Sequence, residues 1–228
     1  MIQHDNNNTI KNSLWFSILM PSLFIAVAWM VFIFERSWGM DLSIYGLLPR
    51  EITHWYGILT MPFLHGDLSH IFFNSISFIG MGTLLFYFYP KHCWKVFGLS
   101  YIFCGVITWL IGRSNYHIGA SAMIYAFSAY IFTTGIKSRN RKLLAVSLIV
   151  IIINGGMLWG VLPQETGISW EGHLAGLICG VIFAFIYKAP KEISLIPDRT
   201  EQLYTKFTLG DYDSTENADV EITYYYKK

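Results

Sequence analysis

The sequence predicts an all-α membrane protein: charge is scarce, apolar residues are abundant, and the apolar residues gather into stretches long enough to cross a bilayer. Of 228 residues, 54% are hydrophobic and only 14% are charged, whereas soluble domains carry about a quarter charged residues. Six apolar stretches occupy residues 14–34, 71–89, 94–112, 120–136, 143–162 and 174–187. Each is near the ~20 residues a helix needs to cross a ~30 Å hydrocarbon core, the fourth and sixth being shorter. Unpaired backbone groups are not tolerated in lipid, so runs of this length are expected to be helices. Spanning strands would be about half as long and would alternate in polarity. The expected architecture is a bundle of six transmembrane helices over residues 14–188. A cytoplasmic segment (1–13) precedes it and a cytoplasmic tail (189–228) follows.

Taken in order, the first stretch is read as a helix rather than a removable signal. Ala26-Val27-Ala28 resembles a cleavage site, but the apolar run continues to Phe34 and only Lys11 supplies a basic flank. The connection 35–69 is long and holds Trp38, Tyr45, Leu47, Leu48, Trp55, Tyr56 and Phe63. A wholly solvated loop has no need of so many apolar groups, so part of it is expected to lie in the outer interface. The tail is acidic through its middle and ends in a run of tyrosines, with no role legible in it.

Positive charge sets the orientation. Lys91 and Lys95 follow the second stretch, Lys137, Arg139, Arg141 and Lys142 follow the fourth, and Lys188 and Lys191 follow the sixth. The opposite connections hold Arg36, Arg50 and Arg113 beside Glu35, Asp41, Glu51, Asp67, Glu165 and Glu171. Both termini are therefore expected on the cytoplasmic side. A net charge of +1 gives no reason to expect nucleic acid as a partner. Cys93, Cys104 and Cys179 lie in or beside apolar runs and are read as small packing residues. With no CxxC pair and no HExxH, neither a metal nor a cofactor is expected. The chain carries no signal of oligomeric state.

Polar side chains within spanning helices are costly and are functional candidates by default. His70, Asn74, Ser121 and His173 are the prominent ones. Singly, each has an ordinary reading: a serine bonded to the i−4 carbonyl, or a histidine among headgroups. Their depth argues for a joint role. The second, fourth and sixth helices run outside to inside and end at Lys91, Lys137 and Lys188. Asn74, Ser121 and His173 lie 17, 16 and 15 residues before those lysines, at heights of roughly 22 to 26 Å. One layer holds all three.

Gly172, Gly176 and Gly180 follow the small-xxx-small pattern that lets helices touch backbones. Such contact is expected to bring the sixth helix against the fourth, within reach of Ser121. Tyr125, one turn below Ser121, faces the same way and is placed to stack on an imidazole, or simply to fill core space.

These residues suit acyl transfer. A serine hydroxyl becomes a nucleophile when a base takes its proton, and histidine titrates near neutrality. Ser121 and His173 would form a dyad. No carboxylate lies at that depth, so Tyr125 is left to orient the imidazole. Gly119-Ala120 leads into Ser121 at a helix start, where free N–H groups favour an oxyanion. His70 and Asn74, four apart on one face, point toward the same place. No GxSxG elbow is present, which excludes the α/β-hydrolase arrangement.

His65-x4-His70-x3-Asn74, Gly119-Ala120-Ser121 and Gly172-His173 with Gly176 and Gly180 resemble the rhomboid proteases in content, order and helix placement. The likeness covers residues 14–188 and leaves the tail aside. It implies a six-helix fold with a water-filled cavity open to the extracytoplasmic side, in a bacterial cytoplasmic membrane. Ser121 is implied as nucleophile, His173 as base, and His70, Asn74 and the Ser121 backbone as oxyanion donors. His65 matches a structural histidine, and Tyr125 the aromatic that stacks on the catalytic ring. The implied substrates are transmembrane proteins cut near the outer face of the lipid bilayer. They would enter laterally between the second and fifth helices, where Phe73 and Trp159 are gate candidates. Two departures stand out: Ala122 where glycine is common, and Glu35-Arg36 where many relatives carry Trp-Arg. The alternative is an inactive relative that binds membrane clients. A proton-relay transporter would need acidic groups at mid-membrane depth, and none is present in the six stretches.

Overall fold

The apolar stretches form helices because helices are the one local structure that pairs every backbone group within the segment. The computed structural model describes residues 14–138, 141–154, 160–163, 167 and 169–188. The helices are α1 (Leu14–Trp38), the single turn α2 (Gly57–Thr60), α3 (Leu68–Phe88), α4 (Cys93–Ile111), α5 (Ser121–Ser138), α6 (Arg141–Asn154) and α7 (Trp170–Ile186). By length and apolarity, α1, α3 and α4 suffice to cross a membrane, and α7 is a shorter apolar helix. The protein is an integral membrane protein. The segments 1–13 and 189–228, and Trp159, lie outside the described residues.

α5 is the central element. Ala122 through Phe127 are all buried, and the helix packs against α3, α4, α6 and α7. Lipid gives apolar side chains no reason to avoid it, so helices associate through close packing rather than through exclusion of water. On the outer surfaces, Leu19, Leu23 and Met30 of α1 and Phe185 and Ile186 of α7 are accordingly exposed. Inside, rings interdigitate: Phe24 stacks on Phe78 at 4.9 Å, and Phe97 on Phe127 at 5.6 Å.

α1 runs farther than its apolar stretch. Glu35 and Arg36, expected from sequence in the loop, lie in its last turn. Protein rather than solvent receives them. The buried Glu35 carboxylate accepts from the Leu42 N–H at 3.3 Å. The Arg36 guanidinium donates to the Gly66 carbonyl and lies 5.0 Å over the Phe32 ring.

The connection from α1 to α3 is folded down rather than free. It contains α2 and three short 3-10 turns, and buries Leu47, Met61, Leu64 and His65. Leu47 exchanges two backbone hydrogen bonds with His117, 3.0 and 2.8 Å, in the connection between α4 and α5. The α1–α3 and α4–α5 connections are thus tied together just ahead of the start of α5. Asp67 caps α3, its carboxylate accepting from the His70 N–H at 2.9 Å. The Ser69 hydroxyl and that bond hold the Asp67 carboxyl below its usual range.

Candidate active site

Ser121 is the first residue of α5, half-buried. Its position follows from how the preceding residues are held. The Gly119 N–H donates to the Met61 carbonyl at 2.8 Å. Gly119 has φ of 105°, a conformation that residues with a side chain rarely adopt. A Cβ there would also stand 2.7 Å from His70 Nε2 and 3.3 Å from the Asn74 amide nitrogen. Glycine is thus required twice over, by backbone and by space. The same contacts show that His70 and Asn74 converge on the chain just before Ser121. The Ala120 carbonyl takes the Met123 and Ile124 N–H groups, at 3.0 and 3.3 Å, and the Ser121 N–H precedes them at the start of the helix.

His173 lies in the first turn of α7, half-buried. Ser169 caps the helix, its hydroxyl accepting from the Gly172 N–H at 3.3 Å. Below His173 the two helices touch. A Cβ at Gly176 would strike the Ala122 carbonyl oxygen and lie 2.8 Å from Tyr125 Cβ; one at Gly180 would strike the Ala126 carbonyl. Only hydrogens at these positions let α7 approach so closely. Gly172 differs from the sequence expectation. A Cβ there would stand 2.8 Å from Ser169 Oγ and 3.7 Å from Thr108 Oγ1 of α4, so Gly172 does not face α5. Steps of four residues rotate by about 40° each around a helix, which carries Gly172 off the α5-facing side.

The close approach brings Ser121 Oγ within 2.9 Å of His173 Nε2. On the other side of the ring, Nδ1 lies 2.8 Å from the Gly160 carbonyl oxygen. A carbonyl only accepts, so Nδ1 carries the proton. Nε2 therefore presents its lone pair, and the Ser121 hydroxyl donates to it. Tyr125 stacks on the imidazole, centroids 4.3 Å apart and planes 13° from parallel. Orientation thus comes from two sources. Sequence reasoning identifies the ring of Tyr125 and misses the carbonyl of Gly160, because a backbone acceptor has no residue signature.

On the facing helix, the Asn74 amide nitrogen lies 3.1 Å from His65 Nε2. The amide nitrogen only donates, so this bond uses one of its hydrogens and leaves the second. His65 is buried, with its ring 4.9 Å from that of His70. Burial pushes its imidazole down to about 4, with His70 adding to the effect; the Phe63 carbonyl and Asp67 act in the opposite sense. Neutral His65 thus serves as the acceptor that aims Asn74.

Phe73 is exposed on α3, its ring against Phe72. Four further polar residues do not stand out as site residues from sequence. His117 and Ser169 form a hydrogen bond of 2.5 Å, and the buried Glu171 carboxylate lies 2.7 Å from Arg113 Nε. A serine two residues ahead of a first-turn Glu171 is a helix-cap signal that would find Ser169. Burial pushes the His117 imidazole below its usual range; the Arg113 carbonyl and Glu171 oppose the shift.

The chain is similar to known proteins along most of its length. A Rhomboid domain family model matches residues 53–190. An uncharacterized protein of Mycobacterium tuberculosis is 30% identical over 178 residues, 74% of this chain and 74% of that one. Rhomboid-type serine protease 2 of Neurospora crassa is 28% identical over 200 residues, 76% of this chain and 68% of the relative. Rhomboid protease GluP of Bacillus subtilis is 26% identical over 140 residues, covering 60% of this chain and 27% of the relative.

Proposed function

This chain belongs to the rhomboid family, and on that premise we propose that it is an intramembrane serine endopeptidase. Its substrates are transmembrane proteins, cut in or near their membrane segments by Ser121 and His173. The observation that carries this reading is the 2.9 Å contact between Ser121 Oγ and His173 Nε2, with Nδ1 fixed by the Gly160 carbonyl. The lone pair of the base is aimed at the proton it must remove.

The steps follow from that geometry. His173 Nε2 takes the hydroxyl proton as Ser121 Oγ attacks the scissile carbonyl carbon. Negative charge collects on the carbonyl oxygen, where the free Asn74 amide hydrogen, His70 and the backbone N–H of Ser121 are the donors; each such donor is worth about 10²–10³ in rate. His173 then protonates the leaving amine as the peptide C–N bond breaks. Water, activated by the same imidazole, releases the acyl group from Ser121.

The proposal includes the topology expected from sequence: six spans, both termini cytoplasmic, and a site open to the extracytoplasmic side of a bacterial membrane. Position supports it, since the dyad stands at the ends of α5 and α7 opposite Lys137 and Lys188. Substrate enters laterally between α3 and α6, past Phe73 on the α3 side. A bond in an intact helix is shielded, so substrates with helix-weakening residues beside the cut are favoured.

The test is reconstitution of the full chain in liposomes with a single-pass substrate whose membrane segment contains glycine or proline. The parent cuts it, and Ser121→Ala and His173→Ala do not. Cutting that persists in both variants overturns the mechanism. Tight binding without cutting by the parent favours a client-binding protein instead.

A further inference from the structure

A second imidazole–hydroxyl pair stands beside the first, with the two partners exchanged between segments. In the dyad the hydroxyl comes from α5 and the imidazole from α7. Four residues ahead of Ser121 is His117, and four residues ahead of His173 is Ser169. His117 Nδ1 and Ser169 Oγ meet at 2.5 Å. His117 Nε2 lies 3.1 Å from the Arg113 carbonyl oxygen, which only accepts, so that nitrogen holds the proton. Nδ1 therefore accepts from the Ser169 hydroxyl.

Each partner is fixed on its own side. The backbone of His117 is doubly bonded to Leu47, and its side chain is buried. Ser169 Oγ accepts from the Gly172 N–H in the first turn of α7. A second link runs parallel to the pair. The Glu171 carboxylate, in a side chain 1% exposed, receives the Arg113 backbone N–H at 3.2 Å and lies 2.7 Å from Arg113 Nε.

Gly176 and Gly180 bring the backbones together, and toward the far end of α5 the Lys137 ammonium donates to the Ala184 carbonyl at 3.0 Å, whereas the His117–Ser169 bond ties α7 at the end that holds the reacting atoms. A slide of about 1 Å is enough to cost on the order of 10² in rate. We propose that His117 and Ser169 are positioning residues for the reaction: their hydrogen bond, seconded by the Arg113–Glu171 pair, sets the axial register of α7 against the segment leading into α5. That register sets the distance from Ser121 Oγ to His173 Nε2. The inference rests on the dyad reading above. Neither residue belongs to the reacting pair.

Helix capping and positioning separate experimentally, because glycine is a good N-cap yet has no hydroxyl. The full chain is reconstituted, and the rate at which a small fluorophosphonate modifies Ser121 is measured beside the thermal midpoint. Ser169→Gly slows modification about tenfold to a hundredfold, whereas the midpoint falls only by what leaving the buried His117 Nδ1 without its donor costs, and the variant stays folded at the assay temperature. Ser169→Thr, which retains the hydroxyl, recovers most of the rate. With substrate, Ser169→Gly lowers kcat and leaves KM in place. A parental rate in Ser169→Gly, or equal slowing in Ser169→Thr, overturns the positioning role while labelling at Ser121 still upholds the dyad. A parent that is labelled no better than Ser121→Ala sinks the dyad and this inference together.

Discussion

Tyr125 lies flat against His173, so the imidazole is held on its face by one helix and on its edge by the Gly160 carbonyl. The ring rather than the hydroxyl makes the facial contact. Tyr125→Phe keeps the stacked ring but removes the hydroxyl that lies against Gly160, and is expected to lose less of the cleavage rate than Tyr125→Ala. Tyr125→Ala frees the imidazole to rotate and is expected to lose about tenfold to a hundredfold. Steady-state cleavage of a single-pass substrate by the two variants checks the difference.

Gly119 tolerates no side chain. Its φ of 105° and the 2.7 Å approach of a Cβ to His70 Nε2 act together. Gly119→Ala is expected to cost about 1–3 kcal/mol of stability from backbone strain alone. It also displaces the N–H groups leading into Ser121, so activity falls further than stability does. Thermal unfolding in detergent and cleavage, measured on the same preparation, separate the two effects.

Asn74 has one amide hydrogen committed to His65, and the proposed mechanism gives the other to the reacting oxygen. Asn74→Ala is expected to lower kcat by about 10²–10³ with KM little changed, since an oxyanion donor acts in the transition state. His65→Ala, which removes the acceptor that aims the amide, should lower kcat in the same direction by less. Michaelis constants for both variants test the order.

His65 also predicts a pH dependence of stability. Its imidazole is held down to about 4 in the fold, against 6.5 when free. Above 6.5 both states are neutral and the full stability is present. As pH falls from 6.5 toward 4, the unfolded chain takes up a proton that the folded chain refuses, and stability declines by at most about 3 kcal/mol. The thermal midpoint should drop over that window, and His65→Gln should flatten part of the decline. A variant with the parental slope would exclude His65 as a source.

The legible parts of the site are those with a residue signature and an axial reference. Lysines at the helix ends allow Asn74, Ser121 and His173 to be counted to one depth, and Ser121 Oγ does meet His173 Nε2. Gly176 and Gly180 mark the close helix contact because only glycine permits it. Gly172, in the same spacing, breaks the pattern: the drift of about 40° per four residues turns it toward Ser169 and α4. The apolar run ends before α1 does, because Glu35 and Arg36 look like loop charges while the fold supplies partners for both. The Gly160 carbonyl leaves no trace in the sequence, since every residue has one. The pairing of His117 with Ser169 depends on two connections meeting in space, which no local pattern encodes.

The most direct measurement is the site of covalent modification. The reconstituted protein is treated with a fluorophosphonate and the adduct is mapped by mass spectrometry. A single adduct on Ser121, lost in His173→Ala although that variant folds, is the expected result. An adduct on another serine, or undiminished labelling of Ser121 without His173, would contradict the pairing of hydroxyl and imidazole on which the proposed chemistry depends.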